Sequence, residues 1–318
     1  MNKYPNYPNP PTKMYFTAEM TAPQHITKTR LAPTPSGFLH LGNAFSFALT
    51  AALAQQASAK ILLRIDDLDR ERVEEKYVQD IFDTLHFLGI PWHEGPRDHH
   101  EYQSIYSQLH RLPLYNEALQ QLKNSGMLFA CECSRAQISN GIYPGTCRNK
   151  NLPLDGKNLN WRLRTNEEKT LTVRIPGGKS LASTLPAEMR DFVVRKKDGF
   201  PAYQLASLVD DRFFNVDLIV RGEDLWPSTL AQLYLADVLQ YEKFRESIFY
   251  HHPLLLEAGD RKLSKSAGAT SIQFLRKEGK TREDIYGMIA QMMQIKAPVS
   301  DYISLWEALI KEHPESGI

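Results

Sequence analysis

The sequence predicts an α/β fold in which helices cover a parallel β-sheet, an α+β insertion interrupts the chain, and a short helical segment ends it. Three observations carry this expectation. Strand, glycine-bearing loop, helix and second strand follow one another between Thr29 and Ile65, a βαβ unit whose strands run parallel. Between Met127 and Met189 the texture turns to short strands, frequent turn residues and every cysteine of the chain. Past Ser266 the pattern becomes helical.

The first strand, Thr29 to Ala32, runs into Pro33-Thr34-Pro35-Ser36-Gly37, where two prolines and a glycine break regular structure. A helix is expected from Leu41 to Gln56. Its Ala44, Phe45, Phe47, Ala48, Ala51 and Leu53 leave almost no polar face, which marks a buried helix. Ile61 to Ile65 has the apolar run of a strand covered on both faces, stopped by Asp66-Asp67-Leu68-Asp69. Val78 to Leu88 follows as an amphipathic helix, with Ile81, Phe82, Leu85 and Leu88 on one stripe. Leu112 to Lys123 is another, ended by Gly126. Within the altered stretch a Gly-Gly turn falls at Gly177. Regular patterns resume at Asp191: Phe192-Val193-Val194 is strand-like, Tyr203 to Val209 helical, and Val216 to Val220 a strand.

With 318 residues, 42% hydrophobic and 24% charged, the chain has the make-up of a folded globular protein and the length for about two domains. Lys and Arg number 38 against 37 Asp and Glu. That balance excludes non-specific coating of nucleic acid and requires any such contact to be concentrated on one face. No run of 18 apolar residues exists, so no membrane-spanning helix is expected. Residues 1–28, rich in Pro, Tyr, Asn and Thr, are expected to be a flexible leader or an over-long start, Met14 and Met20 being alternative starts. Lacking Arg, the segment does not suit a transit peptide. Cys131, Cys133 and Cys147 are too few and too clustered for a disulfide framework, and with no secretory signal a cytoplasmic location is expected.

Two segments suggest phosphate chemistry. Pro33 to Asn43 (PTPSGFLHLGN) opens a helix after a strand, where orphan N–H groups and the helix dipole favour an anion. His40 stands at its mouth as a donor, although the segment lacks the Gly-Lys-Ser/Thr ending of a P-loop. Taken alone, it reads equally well as an ordinary strand-to-helix turn with a packed histidine. Lys262-Leu263-Ser264-Lys265-Ser266, after Gly259-Asp260-Arg261 and before Gly268, gathers cations that suit a triphosphate clamp or, taken alone, a solvated charged loop. The cysteines by spacing alone are either a metal site or buried free thiols.

Together, HLGN (His40 to Asn43) and KLSKS (Lys262 to Ser266) resemble the two signature halves of the class I aminoacyl-tRNA synthetases. TRLAPTPSGFLHLGNA, LLRIDDLDRER, DFVVRKKDGFPAYQLASLVDD and IVRGEDL resemble the glutamate-specific branch, in the right order over residues 29–270. Three features resemble the short glutamyl-queuosine tRNA(Asp) synthetases rather than the ordinary glutamyl-tRNA synthetases. Only 52 residues follow Ser266, fewer than a helical anticodon-binding region needs. Cys131-x-Cys133 with Tyr143-Pro-Gly-Thr-Cys147-Arg148 is similar to the zinc module of the short enzymes, and the length without the leader is also theirs. The resemblance implies a Rossmann-like catalytic domain in two halves, 29–126 and 191–266, a zinc-bearing insertion at 127–190, and a helical segment at 267–318.

It also implies roles. ATP would be contacted by His40, Gly42, Asn43, Lys262 and Lys265, with His40 and Lys265 catalytic. Glutamate would meet Arg30 and Arg221 through a carboxylate, Asp66 through its ammonium, and Tyr203 and Thr34 through hydrogen bonds or loop contact. Arginine suits the task because a guanidinium grips a carboxylate with two parallel hydrogen bonds. Zn²⁺ would be held by Cys131, Cys133, Tyr143 and Cys147, the tyrosine as a phenolate stabilised by the metal. Mg²⁺ is expected with ATP. Two departures stand out: Asp66 replaces the usual Glu, and Thr34 the usual Ser. Asp is one methylene shorter, so the ammonium contact moves inward or passes through water. Loss of one direct charged hydrogen bond costs roughly 1.5–3 kcal/mol.

The implied reaction is adenylation of glutamate by ATP, then attack by a ribose-like hydroxyl of the queuosine cyclopentene ring in the tRNA(Asp) anticodon loop. A monomer with no membrane contact is expected. A truncated glutamyl-tRNA synthetase charging the 3′ end of tRNA(Glu), an adenylylating transferase with a non-tRNA acceptor, and a non-catalytic tRNA-binding protein are the rival readings.

Overall fold

The computed structural model describes residues 26–138, 141–257, 261–262 and 271–312. Nearly all of the expected leader lies outside the described residues, as do Leu263, Ser264, Lys265 and Ser266 of the second signature segment.

In chain order the first elements are β1 (Lys28–Leu31), α1 (Leu41–Gln56), β2 (Lys60–Leu63), α2 (Glu75–Leu88), the single turn α3 (His99–Glu101) and α4 (Leu112–Asn124). Five short strands follow: β3 (Leu128–Cys131), β4 (Asn160–Leu163), β5 (Leu171–Arg174), β6 (Ser180–Ser183) and β7 (Val193–Arg195). Then come α5 (Tyr203–Phe213), β8 (Leu218–Gly222), α6 (Trp226–Val238), α7 (Glu242–Arg245) and β9 (Ile248–His252). A two-stranded hairpin, β10 (Leu256–Glu257) and β11 (Arg261–Lys262), precedes α8 (Ile272–Lys277), α9 (Arg282–Met292) and α10 (Tyr302–Glu312).

The main sheet has the order β2-β1-β8-β9-β5-β6 and is parallel from β2 to β5, with β6 returning antiparallel as a hairpin. Successive side chains of a strand face opposite sides, and here both sides are core. Ile61, Leu63, Leu218, Val220 and Tyr250 join the apolar cluster beneath α1, α2, α9 and α10. Their neighbours Leu62, Ile219 and Phe249 join the second cluster beneath α4, α5 and α6. This double covering is why Lys60 to Leu63 and Leu218 to Val220 read as unbroken apolar runs. The same reason makes α1 apolar on all sides: the sheet lies under it and α10 packs on it. Among the described residues, no helix is long and apolar enough to cross a membrane.

The strand pairing does not follow the boundaries expected at 127 and 190. β5 and β6 extend the main sheet, Arg174 pairing with Ile248, whereas β7, expected in the second catalytic half, closes a three-stranded antiparallel sheet in the order β3-β4-β7. Turn residues and cysteines mark where local texture changes, but pairing across many residues is set by packing that texture does not encode. Smaller differences have local causes. The second strand stops at Leu63 rather than Ile65, where the Arg64 guanidinium folds back on Asp66. The strand expected at Val216 begins at Leu218, and the Asp217 carboxylate just before it accepts hydrogen bonds from the backbone of Thr27 and Lys28.

Candidate active site

A cavity of about 470 Å³ opens over the C-terminal ends of β1, β8 and β9, where α1 begins. Open parallel sheets bind ligands at this edge, where strand order reverses. Arg30, Thr34, His40, Gly42, Asn43, Tyr203 and Arg221 all border it. Seven residues expected in the site thus come together from three separate segments. Lys262 belongs to β11, and Lys265 lies outside the described residues. Ser271 pairs with His40 in an antiparallel bridge, so the chain after the second signature segment returns to the start of α1.

The N-terminus of α1 is built from its own first residues. His40 is the N-cap in extended conformation, and its Nδ1 accepts a hydrogen bond from the Gly42 N–H at 3.1 Å. Asn43 Oδ1 in turn accepts from the His40 N–H at 3.1 Å. This reciprocal capping leaves Nε2 as the protonated nitrogen of the imidazole. Gly42 is required by the close approach: a Cβ there would stand 3.0 Å from His40 Cε1. The result is a helix terminus with a positive dipole end and a fixed histidine donor, suited to phosphate oxygens.

Arg30 and Arg221 border the same cavity and are both buried. Arg30 donates from Nε to Asp211 at 3.2 Å and from Nη1 to the Val220 carbonyl at 3.1 Å. Arg221 donates from Nη2 to Gln232 Oε1 at 2.9 Å, and among the described residues its Nε and Nη1 have no hydrogen-bond partner. Burial pushes the Arg221 guanidinium down to about 10, with Arg30 opposing it further. It nonetheless stays charged at neutral pH, a desolvated cation awaiting an anion. Tyr203, the first residue of α5, is half exposed beside it.

Asp66 is the exception among the expected contacts. Its two oxygens are gripped by Arg64 Nε at 2.6 Å and Nη2 at 3.0 Å, and it does not border the cavity. With the shorter side chain, the carboxylate two residues beyond Arg64 lies on the same side of the chain and closes an ion pair within its own segment. In this geometry the carboxylate of Asp66 is engaged by Arg64 rather than turned to the cavity.

Several residues of the site escaped the sequence reading. His252 at the end of β9 borders the cavity; its Nδ1 donates to the Pro253 carbonyl at 2.9 Å, which leaves Nε2 an acceptor without a partner among the described residues. Burial pushes its pKa down to about 4, so it is neutral. Asp224 also borders the cavity, and Gly222 accommodates it: a Cβ there would lie 2.6 Å from its Oδ1. Two adjacent histidines before a proline, at the end of an apolar run, were the available signal for His252.

A second cluster lies beyond β3. The sulfur atoms of Cys131, Cys133 and Cys147 fall within 4.8 Å of one another, and all three cysteines are free and buried. The Tyr143 hydroxyl accepts from the Cys147 N–H at 2.8 Å, its ring stacks on Phe129, and the Arg162 guanidinium lies 3.8 Å from its centroid. Burial would raise the Cys131 thiol, yet hydrogen bonds from Tyr143 and Arg162 hold it below its usual range. Three converging thiols joined by a phenol oxygen and a guanidinium fit a tetrahedral metal bound by thiolates.

The family model for the catalytic domain of class I tRNA synthetases (E and Q) matches residues 27–300. A glutamyl-Q tRNA(Asp) synthetase of Prochlorococcus marinus (strain MIT 9313) is 32% identical over 91% of this chain and 89% of its own. The chain belongs to the class I tRNA synthetases, in the glutamyl-Q tRNA(Asp) synthetase family. A glutamate--tRNA ligase of Dehalococcoides mccartyi (strain BAV1) is 35% identical, but the match spans only 51% of that protein. Among solved structures, a glutamate-tRNA synthetase from Elizabethkingia anophelis superposes with a TM-score of 0.70 at 22% identity, over 90% of this chain and 65% of that one. That likeness concerns the fold: the Rossmann-like α/β architecture is common to both.

Proposed function

We propose that the protein activates L-glutamate with ATP and transfers the glutamyl group to the queuosine base in the anticodon loop of tRNA(Asp). The observation that supports this most is the charge left over in one cavity. Among the described residues two nitrogens of Arg221 stay unpaired, and Arg30 and the N-terminus of α1 border the same cavity. An amino acid with a side-chain carboxylate and a nucleoside triphosphate are the two anions that this arrangement suits.

In this reading the phosphates lie over His40, Gly42 and Asn43, and Lys262 and Lys265 offset charge on the leaving pyrophosphate. An α-carboxylate oxygen of glutamate attacks the α-phosphorus, the bond to the bridging oxygen breaks, and pyrophosphate departs with the electron pair. A hydroxyl of the queuosine cyclopentene ring then attacks the carbonyl carbon, and AMP leaves. Arg30 and Arg221 hold the side-chain carboxylate, with Thr34 and Tyr203 at its border. The protein supplies position and charge rather than a nucleophile of its own. Mg²⁺ accompanies the triphosphate. Zn²⁺ held by Cys131, Cys133, Tyr143 and Cys147 would be structural, tying the loop after β3 to that strand. The protein would act as a cytoplasmic monomer.

The test is transfer of labelled glutamate, with ATP and Mg²⁺, to queuosine-containing tRNA(Asp) and to tRNA(Glu) side by side. The expected label sits on tRNA(Asp) and maps to its anticodon loop. Label on the 3′ end of tRNA(Glu) would replace this reading with the ordinary charging reaction.

A further inference from the structure

Arg221 is held differently from the other buried arginines near it. Arg30, Arg64 and Arg111 each place a guanidinium nitrogen against a carboxylate oxygen, at 3.2, 2.6 and 2.7 Å. Arg221 is as buried as they are, yet among the described residues no carboxylate pairs with it. Its one anchor is the neutral amide of Gln232, which is fully buried on α6 and does not border the cavity. Asp211, which acts on Arg221 from further away, is hydrogen-bonded to Arg30 and Arg64 instead, and the groups in closest contact are neutral. The Phe249 ring lies 5.3 Å from the guanidinium carbon. His251, its neighbour across the β8–β9 pairing, is kept uncharged by burial and by Arg221 itself, and bonds Thr229 at 2.7 Å.

A buried cation with no counter-ion destabilises the fold, and a glutamate in place of Gln232 would relieve that cost with almost the same shape. The amide instead supplies an acceptor that orients the guanidinium without cancelling its charge. We propose that Gln232 is a positioning and specificity residue: it fixes Arg221 through a neutral acceptor, so that the uncancelled charge selects a substrate carboxylate over the corresponding amide. The idea rests on the reading that Arg221 meets the side-chain carboxylate of the substrate.

It makes stability and affinity move in opposite directions, which a merely structural role would not do. In Gln232→Glu, the melting temperature is expected to rise while KM for L-glutamate in ATP–pyrophosphate exchange increases at least thirtyfold. KM for ATP stays within about twofold, and the preference for L-glutamate over L-glutamine falls at least tenfold. Gln232→Met, which removes the anchor without adding charge, is expected to raise KM for glutamate about tenfold while lowering the melting temperature; it also serves if the Glu variant does not fold. Arg221→Met is the reference and is expected to lose glutamate-dependent exchange. If Arg221→Met loses exchange while both Gln232 variants keep the wild-type KM and glutamate preference, the role of Gln232 is overturned and that of Arg221 stands. If Arg221→Met keeps its KM for glutamate, the reading of Arg221 and this inference fall together. A Gln232→Glu protein that melts earlier and loses affinity for both substrates equally also overturns the proposal.

Discussion

Arg64 and Arg111, away from the cavity, and Arg221, on its border, are buried arginines held in opposite ways. Behind the cavity, Arg64 and Arg111 lie among Asp66, Asp210 and Asp211, and nearly every polar atom is paired. Arg111 grips Asp210 through two nitrogens, Tyr115 and Gln108 donate to the same carboxylate, and Arg64 spans Asp66 and Asp211. At the cavity, Arg221 has one neutral anchor and two unpaired nitrogens. A satisfied network fixes the packing of α4 and α5 against the end of β2; an unsatisfied cation stores attraction for a ligand. Burial and residue type do not tell Arg111 from Arg221, whereas the charge balance of their immediate neighbours does; Arg30, on the cavity wall yet paired with Asp211, stands between the two.

The sharpest way to break this contrast is to remove one arginine from each group. Arg111→Met takes from the buried Asp210 its closest ion-pair partner, leaving Arg64 at 3.8 Å, and is expected to lower unfolding stability by ~3 kcal/mol. Arg221→Met removes an uncompensated buried charge and is expected to unfold at or above the wild-type denaturant midpoint. Chemical denaturation of both proteins checks the pair; equal losses would erase the distinction.

A smaller effect concerns acid. His252 is pushed down to about 4 by burial, from an ordinary value of 6.5. Between these values the unfolded chain binds a proton that the folded one refuses, so stability is full above pH 6.5 and declines as pH falls towards 4. The full difference is about 3 kcal/mol. Urea midpoints at pH 7 and pH 5 are expected to show this decline, and His252→Leu is expected to reduce it, the buried neutral His251 supplying the remainder. An unchanged slope in that variant would place the acid sensitivity elsewhere, in the carboxylate network for example.

Much of the site was legible because it is local. The strand, loop and helix from Thr29 to Gln56 announce themselves by apolar pattern and by the residues that cap the helix, and Cys131, Cys133 and Cys147 sit within one short window. Arg64 with Asp66 was legible in principle, since residues two apart at a strand end share a face. Asp210 and Asp211 were not: two acids in the middle of a helix read as a solvated face, and only the packing of α4 and β2 around them turns them inward. Gln232 gave only the signal of a polar residue in the otherwise apolar run of α6. The membership of β5 and β6 in the main sheet, and of β7 in the small one, depends on pairings far apart in the chain, which periodicity does not report.

The most direct test of the account is ATP–pyrophosphate exchange by the unaltered protein with L-glutamate and with L-glutamine. A cavity whose selecting group is an unneutralised arginine predicts exchange with glutamate at least a hundredfold faster at equal concentration. Equal rates with the two amino acids, or no exchange with either, would contradict it.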